Sequence, residues 1–342
     1  METFRGIRIC SRTAICGPAS RWCAALGCAL LLGFGPVRML ADEIAAPTEA
    51  RHPLDALTAA EIETVVNVLR AAGHVQERSD FPVLTLHEPA KAAVLSWQAG
   101  KSFERQAEVV LADASGVFEG LVDIRAGQLL SWKQRRDVQP RMTNTDFMAA
   151  DAAKREPAMV AALEKRGYAA PFDGVLCAPL AAGPLAPAAT ARVANVSCYD
   201  ISDHDGNPFG RPIEGLMAVV DLHAGRVLRT VDLGVVPLSD DGGSFLHERS
   251  GRYRRPALPV SITTPGGSNI RIDGSQLQWD NWRVHLRVDA REGLVASLVR
   301  YDDQGTDRSI VYQLSPSEMF VPYMDPDETW AFKAYMDIGE YG

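Results

Sequence analysis

The sequence predicts an α+β fold built twice and followed by an all-β segment, and three features carry that expectation. Two stretches have helical spacing of apolar residues, one beginning at Thr58 and one reading "TDFMAADAAKREPAMVAALEKRGY". Each is followed by short alternating runs with turn residues between them, as an antiparallel meander requires. From Ser268 onward only strand-like runs occur. At 342 residues the chain exceeds one ordinary core, which agrees with two or three domains.

Residues 1–41 stand apart from this fold. Arg5, Arg8, Arg12 and Arg21 precede the apolar run "CAALGCALLLGFG" and then Pro36. A run of 13 residues is too short for a bilayer core of about 30 Å, which needs roughly 20. A basic start, a short apolar centre and small residues afterwards describe an export signal, with cleavage near Ala41 or Ala46. The expectation is a signal peptide over 1–41, no membrane span, and a periplasmic or secreted location. Its removal takes five arginines and one glutamate from 35 basic and 43 acidic residues, leaving a net charge near −12. That disfavours a nucleic-acid partner, which needs clustered basic charge, and none is expected.

Cys10, Cys16, Cys23 and Cys28 lie in the leader, so Cys177 and Cys198 remain. Two cysteines in an oxidising compartment are expected to pair. No His or Cys neighbours either at ligand spacing, so a metal site there is not expected.

The first small α+β domain is expected over 52–140. Thr58 with Glu61 is a capping box; Ile62, Val65, Val66 and Leu69 recur at helical spacing, and Gly73 stops the helix. Four strands follow, in "FPVLTLHE", "SFERQAEVVLAD", "GVFEGLVDIRAG" and "QLLSWKQRRDV". The second small domain is expected over 141–236, with its helix kinked or split before Pro157 and strands in "VSCYDI", "IEGLMAVVDLHAG" and "RVLRTVDLG". "GLVDIRAGQLL" and "AVVDLHAGRVL" align at a spacing of about 98 residues, as an internal duplication would give. The shared Asp123 and Asp221, each followed by Ala-Gly, suit a hairpin turn rather than chemistry. Residues 237–262, rich in Gly, Pro and charge, form a linker or arm, and 263–342 begin a β-sandwich that the chain does not complete.

In this last segment the runs "WDNWRVHLRVDAREGLVASLVRYDD", "RSIVYQLSPSEMFVPYMDP" and "FKAYMDIGEYG" resemble the opening of the catalytic domain of copper-containing primary-amine oxidases. The two preceding repeats resemble that family's small amino-terminal domains, which implies a cystatin-like fold for each, one helix on an antiparallel sheet. The 21-residue cysteine spacing resembles a bridge that some members carry in the second small domain.

The resemblance implies oxidative deamination of a primary amine by O2, with copper and topaquinone as cofactors and a homodimer as the complete assembly. Residue by residue, it implies that Asp337 is the general base taking the substrate α-proton, that Tyr335 gates the substrate channel, and that Tyr323 hydrogen-bonds a quinone oxygen. The family's quinone comes from an Asn-Tyr-Asp/Glu motif and its copper sits on three histidines, two of them as His-X-His. Neither motif occurs in this sequence, so no metal ligand is assigned, and the chain resembles the amino-terminal portion of the enzyme.

Two other classes compete. A cystatin-type protease inhibitor would need a Gln-X-Val-X-Gly hairpin, which "QAEVVLADASG" does not supply. A non-catalytic exported scaffold remnant of the same family would share every feature above.

Overall fold

The structure is a computed structural model that describes residues 49–136, 138–182, 192–202, 207, 209–239, 258–316, 319 and 321–334. The expected signal segment and most of the 237–262 arm lie outside the described residues. No helix among the described residues is long and apolar enough to cross a membrane.

The first repeat opens on helix α1 (Ala59–Ala71), and the capping box is in place. Thr58 Oγ1 accepts the Glu61 N–H at 3.2 Å, and Glu61 Oε2 accepts the Thr58 N–H at 2.9 Å. Gly73, at φ 76°, ends it in a conformation that costs glycine little. Then come β1 (Asp80–His87), a short helix α2 (Lys91–Ser96), β2 (Gln106–Asp113), β3 (Gly116–Asp123) and β4 (Gln128–Arg135), forming an antiparallel sheet in sequence order. Val65 and Leu69 of α1 pack on Ala107, Val109 and Leu111 of β2 and Val122 of β3. Helix α2 is the one element of this repeat without a counterpart in the sequence reading, because six residues are too few for a helical period to register.

The second repeat has its helical stretch divided as Pro157 dictates: α3 (Asn144–Ala152), a 3₁₀ turn (Ala153–Arg155) and α4 (Pro157–Glu164), with Pro157 at the first position of α4, where its missing N–H costs no bond. Strands β5 (Val175–Ala181), β6 (Val193–Asp200), β7 (Pro212–Asp221) and β8 (Arg226–Asp232) again make an antiparallel sheet in sequence order. Strand β5 was not expected. Pro179 argues against a central strand, but β5 is the sheet edge, where a residue lacking an N–H is tolerated. Cys177 of β5 faces Cys198 of β6 directly across the ladder, and the two are disulfide-bonded as expected.

The two repeats share more than element order. In each, an arginine just before the second strand lies buried against the helix-capping acid. Arg105 donates to Glu61 from Nε and an NH2 nitrogen, both at 2.7 Å; Arg192 donates to Asp146 from Nε at 2.7 Å. The carbonyls of these arginines accept from Ile124 and Leu222, so the pairs occupy equivalent register. Asp123 accepts the Ala126 N–H, and Asp221 accepts those of His223 and Ala224, which places both in the expected hairpin turns. The spacing read at these aspartates does not hold upstream. The β6–β7 connection is much longer than the β2–β3 turn, so the offset is smaller before it.

The third sheet contains β9 (Ile270–Asp273), β10 (Gln276–Trp279), β11 (Trp282–Asp289), β12 (Gly293–Asp303) and β13 (Thr306–Leu314), all antiparallel and in sequence order. It meets the first repeat along a polar seam. Thr85 Oγ1 donates to Asp289 Oδ2 at 2.6 Å, Gln313 Nε2 donates to Glu88 Oε1 at 2.9 Å, and Arg287 pairs with the same Glu88.

Candidate functional site

Asp337 and Tyr335, the expected base and gate, lie outside the described residues; Tyr323 and the segment leading toward them are described. Residues 323–333 form a loop held shut by its own hydrogen bonds. Asp327 Oδ1 accepts from Thr329 N at 2.7 Å and from its hydroxyl, and the Asp327 carbonyl accepts from Trp330 N and Ala331 N. The Tyr323 N–H donates to the Lys333 carbonyl at 3.1 Å, which closes the loop. The Tyr323 ring is half exposed and lies 6.2 Å from that of Trp330, while the Lys333 ammonium sits 3.0 Å from the Trp330 ring centroid.

This loop rests on the second repeat. Phe332, 8% exposed, joins an apolar cluster with Leu180, Val193, Met217, Val219 and Val231, on the face of the sheet opposite its helices. Alternation explains how one sheet serves two cores. Along β7, Leu216, Ala218 and Val220 face the helices, and Met217 and Val219 face Phe332. Burying a phenylalanine side chain stabilises by roughly 1.5–3 kcal/mol. The accompanying Arg229–Glu328 ion pair has both side chains more than half exposed and adds at most about 1 kcal/mol. The apolar contact therefore dominates the docking.

A second constellation was not legible in the sequence. His52 and Asp55 precede α1, and His285 lies on β11; their ligand-capable atoms come within 4.8 Å of one another. His285, with its side chain fully buried, places Nε2 2.9 Å from Asp55 Oδ1. An ionised carboxylate only accepts, so that nitrogen carries the proton. His52 Nδ1 accepts the Leu54 N–H at 3.1 Å, so its other nitrogen carries the proton. His285 Nδ1 is buried with no hydrogen-bond partner, and the hydrogen bonds at His52 Nδ1, His285 Nε2 and Asp55 already occupy the atoms a chelated metal would take.

The cluster is a polar joint between the first repeat and the third sheet. Burial, then His285, hold the His52 pKa down to about 4, against the opposing pull of Asp55. Asp55 is partly buried, which raises its pKa; hydrogen bonds from His285, Ser275 and the backbone of His52 and Arg51 outweigh this and hold it well below the usual carboxylate range. No signal in the sequence links positions 230 residues apart.

Copper and a quinone are not supplied by these residues, since the seven histidines include no His-X-His pair and no Asn-Tyr-Asp/Glu occurs.

Comparison with known proteins agrees with the fold. Residues 52–135 match the N2 domain of copper amine oxidase, and residues 271–342 match the copper amine oxidase enzyme domain. A primary amine oxidase of Klebsiella aerogenes is 36% identical over 301 residues, covering 85% of this chain and 39% of the relative. A primary amine oxidase of Arthrobacter sp. (strain P1) is 33% identical over 295 residues, covering 85% of this chain and 45% of the relative. The chain thus spans less than half the length of these curated relatives. Among solved structures, a copper-containing benzylamine oxidase from Hansenula polymorpha superposes with a TM-score of 0.72 at 21% identity, over 85% of this chain and 48% of that one. That likeness extends to the mixed arrangement of helices and antiparallel sheets described above. Through its N2 domain and the enzyme-domain residues that follow, this chain belongs to the copper amine oxidase family.

Proposed function

We propose that the whole protein of which these residues are part is an exported primary-amine oxidase. It converts a primary amine and O2 to aldehyde, ammonia and hydrogen peroxide, works as a homodimer, and uses copper and topaquinone held by residues beyond this chain. The observation that carries the reading is the enzyme-domain match over 271–342, in a chain whose relatives are named primary amine oxidases. Each small repeat is read as cystatin-like, which its helix packed on a four-stranded meander supports, and the third sheet as the first layer of a sandwich.

Within this reading Asp337 removes the substrate α-proton, Tyr335 gates access to it, and Tyr323 contacts the quinone. When bound, the quinone supplies the electron sink that acidifies the α-proton, so a carboxylate within hydrogen-bond reach suffices as the base. A water-excluded pocket raises a carboxylate's pKa toward the working range. The test is stopped-flow reduction with benzylamine and its α-deuterated form, comparing wild type with Asp337→Asn in the complete protein. General-base loss should slow the proton-transfer step about 10²–10⁴-fold. A variant within a few-fold of wild type would remove Asp337 from this role, and a wild-type protein inert toward primary amines would favour the scaffold reading.

A further inference from the structure

The outer face of the second sheet does a task that the first sheet cannot. Equivalent register positions on the two sheets carry different side chains. Strand β3 has Glu119, paired with Arg135, where β7 has Met217; β2 has Gln106 where β6 has Val193. At these positions the first sheet presents polar and charged groups, with Leu121 at the place of Val219, and the second presents the apolar seat that Phe332 occupies. Phe332 is the last large apolar residue of the closed loop 323–333, and that loop joins the backbone of Tyr323 to that of Lys333. Lys333 precedes Tyr335 by two residues and Asp337 by four.

We propose that Phe332 is a positioning residue: seated on the second repeat, it fixes the closed loop that carries Tyr323 and leads in sequence toward Asp337. This rests on Asp337 being the base. The second repeat is then a part of the catalytic apparatus rather than a spacer ahead of it. Docking through one aromatic on a rigid four-stranded face tolerates little drift, and a displacement of about 1 Å at a reacting group can cost on the order of 10²-fold in rate.

The experiment uses the complete protein in four forms: wild type, Phe332→Ala, Phe332→Leu and Met217→Glu, the last giving the second sheet the charge the first one has. Two readouts are taken. In hydrogen exchange, the Tyr323 amide should exchange at least tenfold faster in Phe332→Ala and Met217→Glu, with amides of β6 unchanged and Phe332→Leu close to wild type. In kinetics with benzylamine, the same two variants should lose about 10–100-fold in kcat with KM within a few-fold, and Phe332→Leu should recover most of it. Unchanged exchange at Tyr323 would overturn the proposal, as would faster exchange with kcat within twofold of wild type. If β6 amides exchange faster too, Met217→Glu is read as general unfolding, and the Ala and Leu pair at Phe332 decides. A wild-type protein without amine turnover sinks the proposed function instead, and the exchange result then decides the docking by itself.

Discussion

On the outward face of the first sheet stand Gln106, Glu108 and Glu119; at the matching places in the second stand Val193, Asn195 and Met217. The frames beneath are alike, with a capping threonine, a capping acid, a buried arginine and a hairpin aspartate in each. The faces, however, meet the rest of the chain in opposite ways. The first repeat touches the third sheet through ions and hydrogen bonds, at Asp55–His285, Thr85–Asp289 and Glu88–Arg287. The second seats a phenylalanine. A duplicated frame can thus be kept for stability while a few outward side chains decide what it binds.

The largest expected effect tests whether the frames are alike in energy. Removing one partner of a buried ion pair strands the other, at a cost on the order of 3–5 kcal/mol. Asp146→Ala should cost more than Glu61→Ala, because Asp146 and Arg192 are both under a tenth exposed while Glu61 is 16% exposed. Urea unfolding of the two variants measures this, and equal losses would show the two devices to be interchangeable. Burial raises the pKa of both acids, but the arginine partners outweigh it and leave both lowered. Their contribution is therefore complete above the unfolded carboxylate value and is lost as pH falls below it.

Next in size is the disulfide, which the first repeat lacks. Leu111 stands where the second repeat has Cys198, to judge from the shared register. Replacing Cys177 and Cys198 together by alanine should cost about 3 kcal/mol for a loop closed across 21 residues, on the chain-entropy account. Melting with and without reductant checks it. A loss below 1 kcal/mol would mean that the apolar packing of β5 on β6 already suffices.

A third effect distinguishes the polar seam from the apolar seat. His52 titrates near 6.5 in an unfolded chain and about 4 in the folded one. Below 6.5 the unfolded chain binds a proton that the folded chain refuses, so this stability is present above 6.5 and is lost as pH falls toward 4. Exchange of the Leu286 amide, which bonds the Ser275 carbonyl beside this joint, should quicken over that range. The β6 amides should not. His52→Gln should abolish the difference, and equal quickening of both would erase the contrast between seam and seat.

The sequence displayed those parts of the fold that are local. Thr58 and Glu61 announce α1 three residues apart, Pro157 divides the second helical stretch, and alternation marks most strands. Strand β5 was hidden because Pro179 argues against a strand interior and only the assembled sheet reveals an edge. The joint of His52, Asp55 and His285 and the seat of Phe332 were hidden for another reason. Each depends on chain-distant side chains that carry no shared period. Of the candidate site, Tyr323 is placed, half exposed at the mouth of its loop, and Tyr335 and Asp337 lie outside the described residues.

The order of the chain gives the Phe332 seat a consequence in time. Ribosomes deliver residues from the amino end at about 5–20 per second, and domains tend to fold as they emerge. Every strand of the second sheet ends by Asp232, so its outer face is finished well before Phe332 is made. The loop thus arrives at a completed template and needs no partner that is still unsynthesised. A newborn chain can therefore seat Phe332 as soon as that residue emerges.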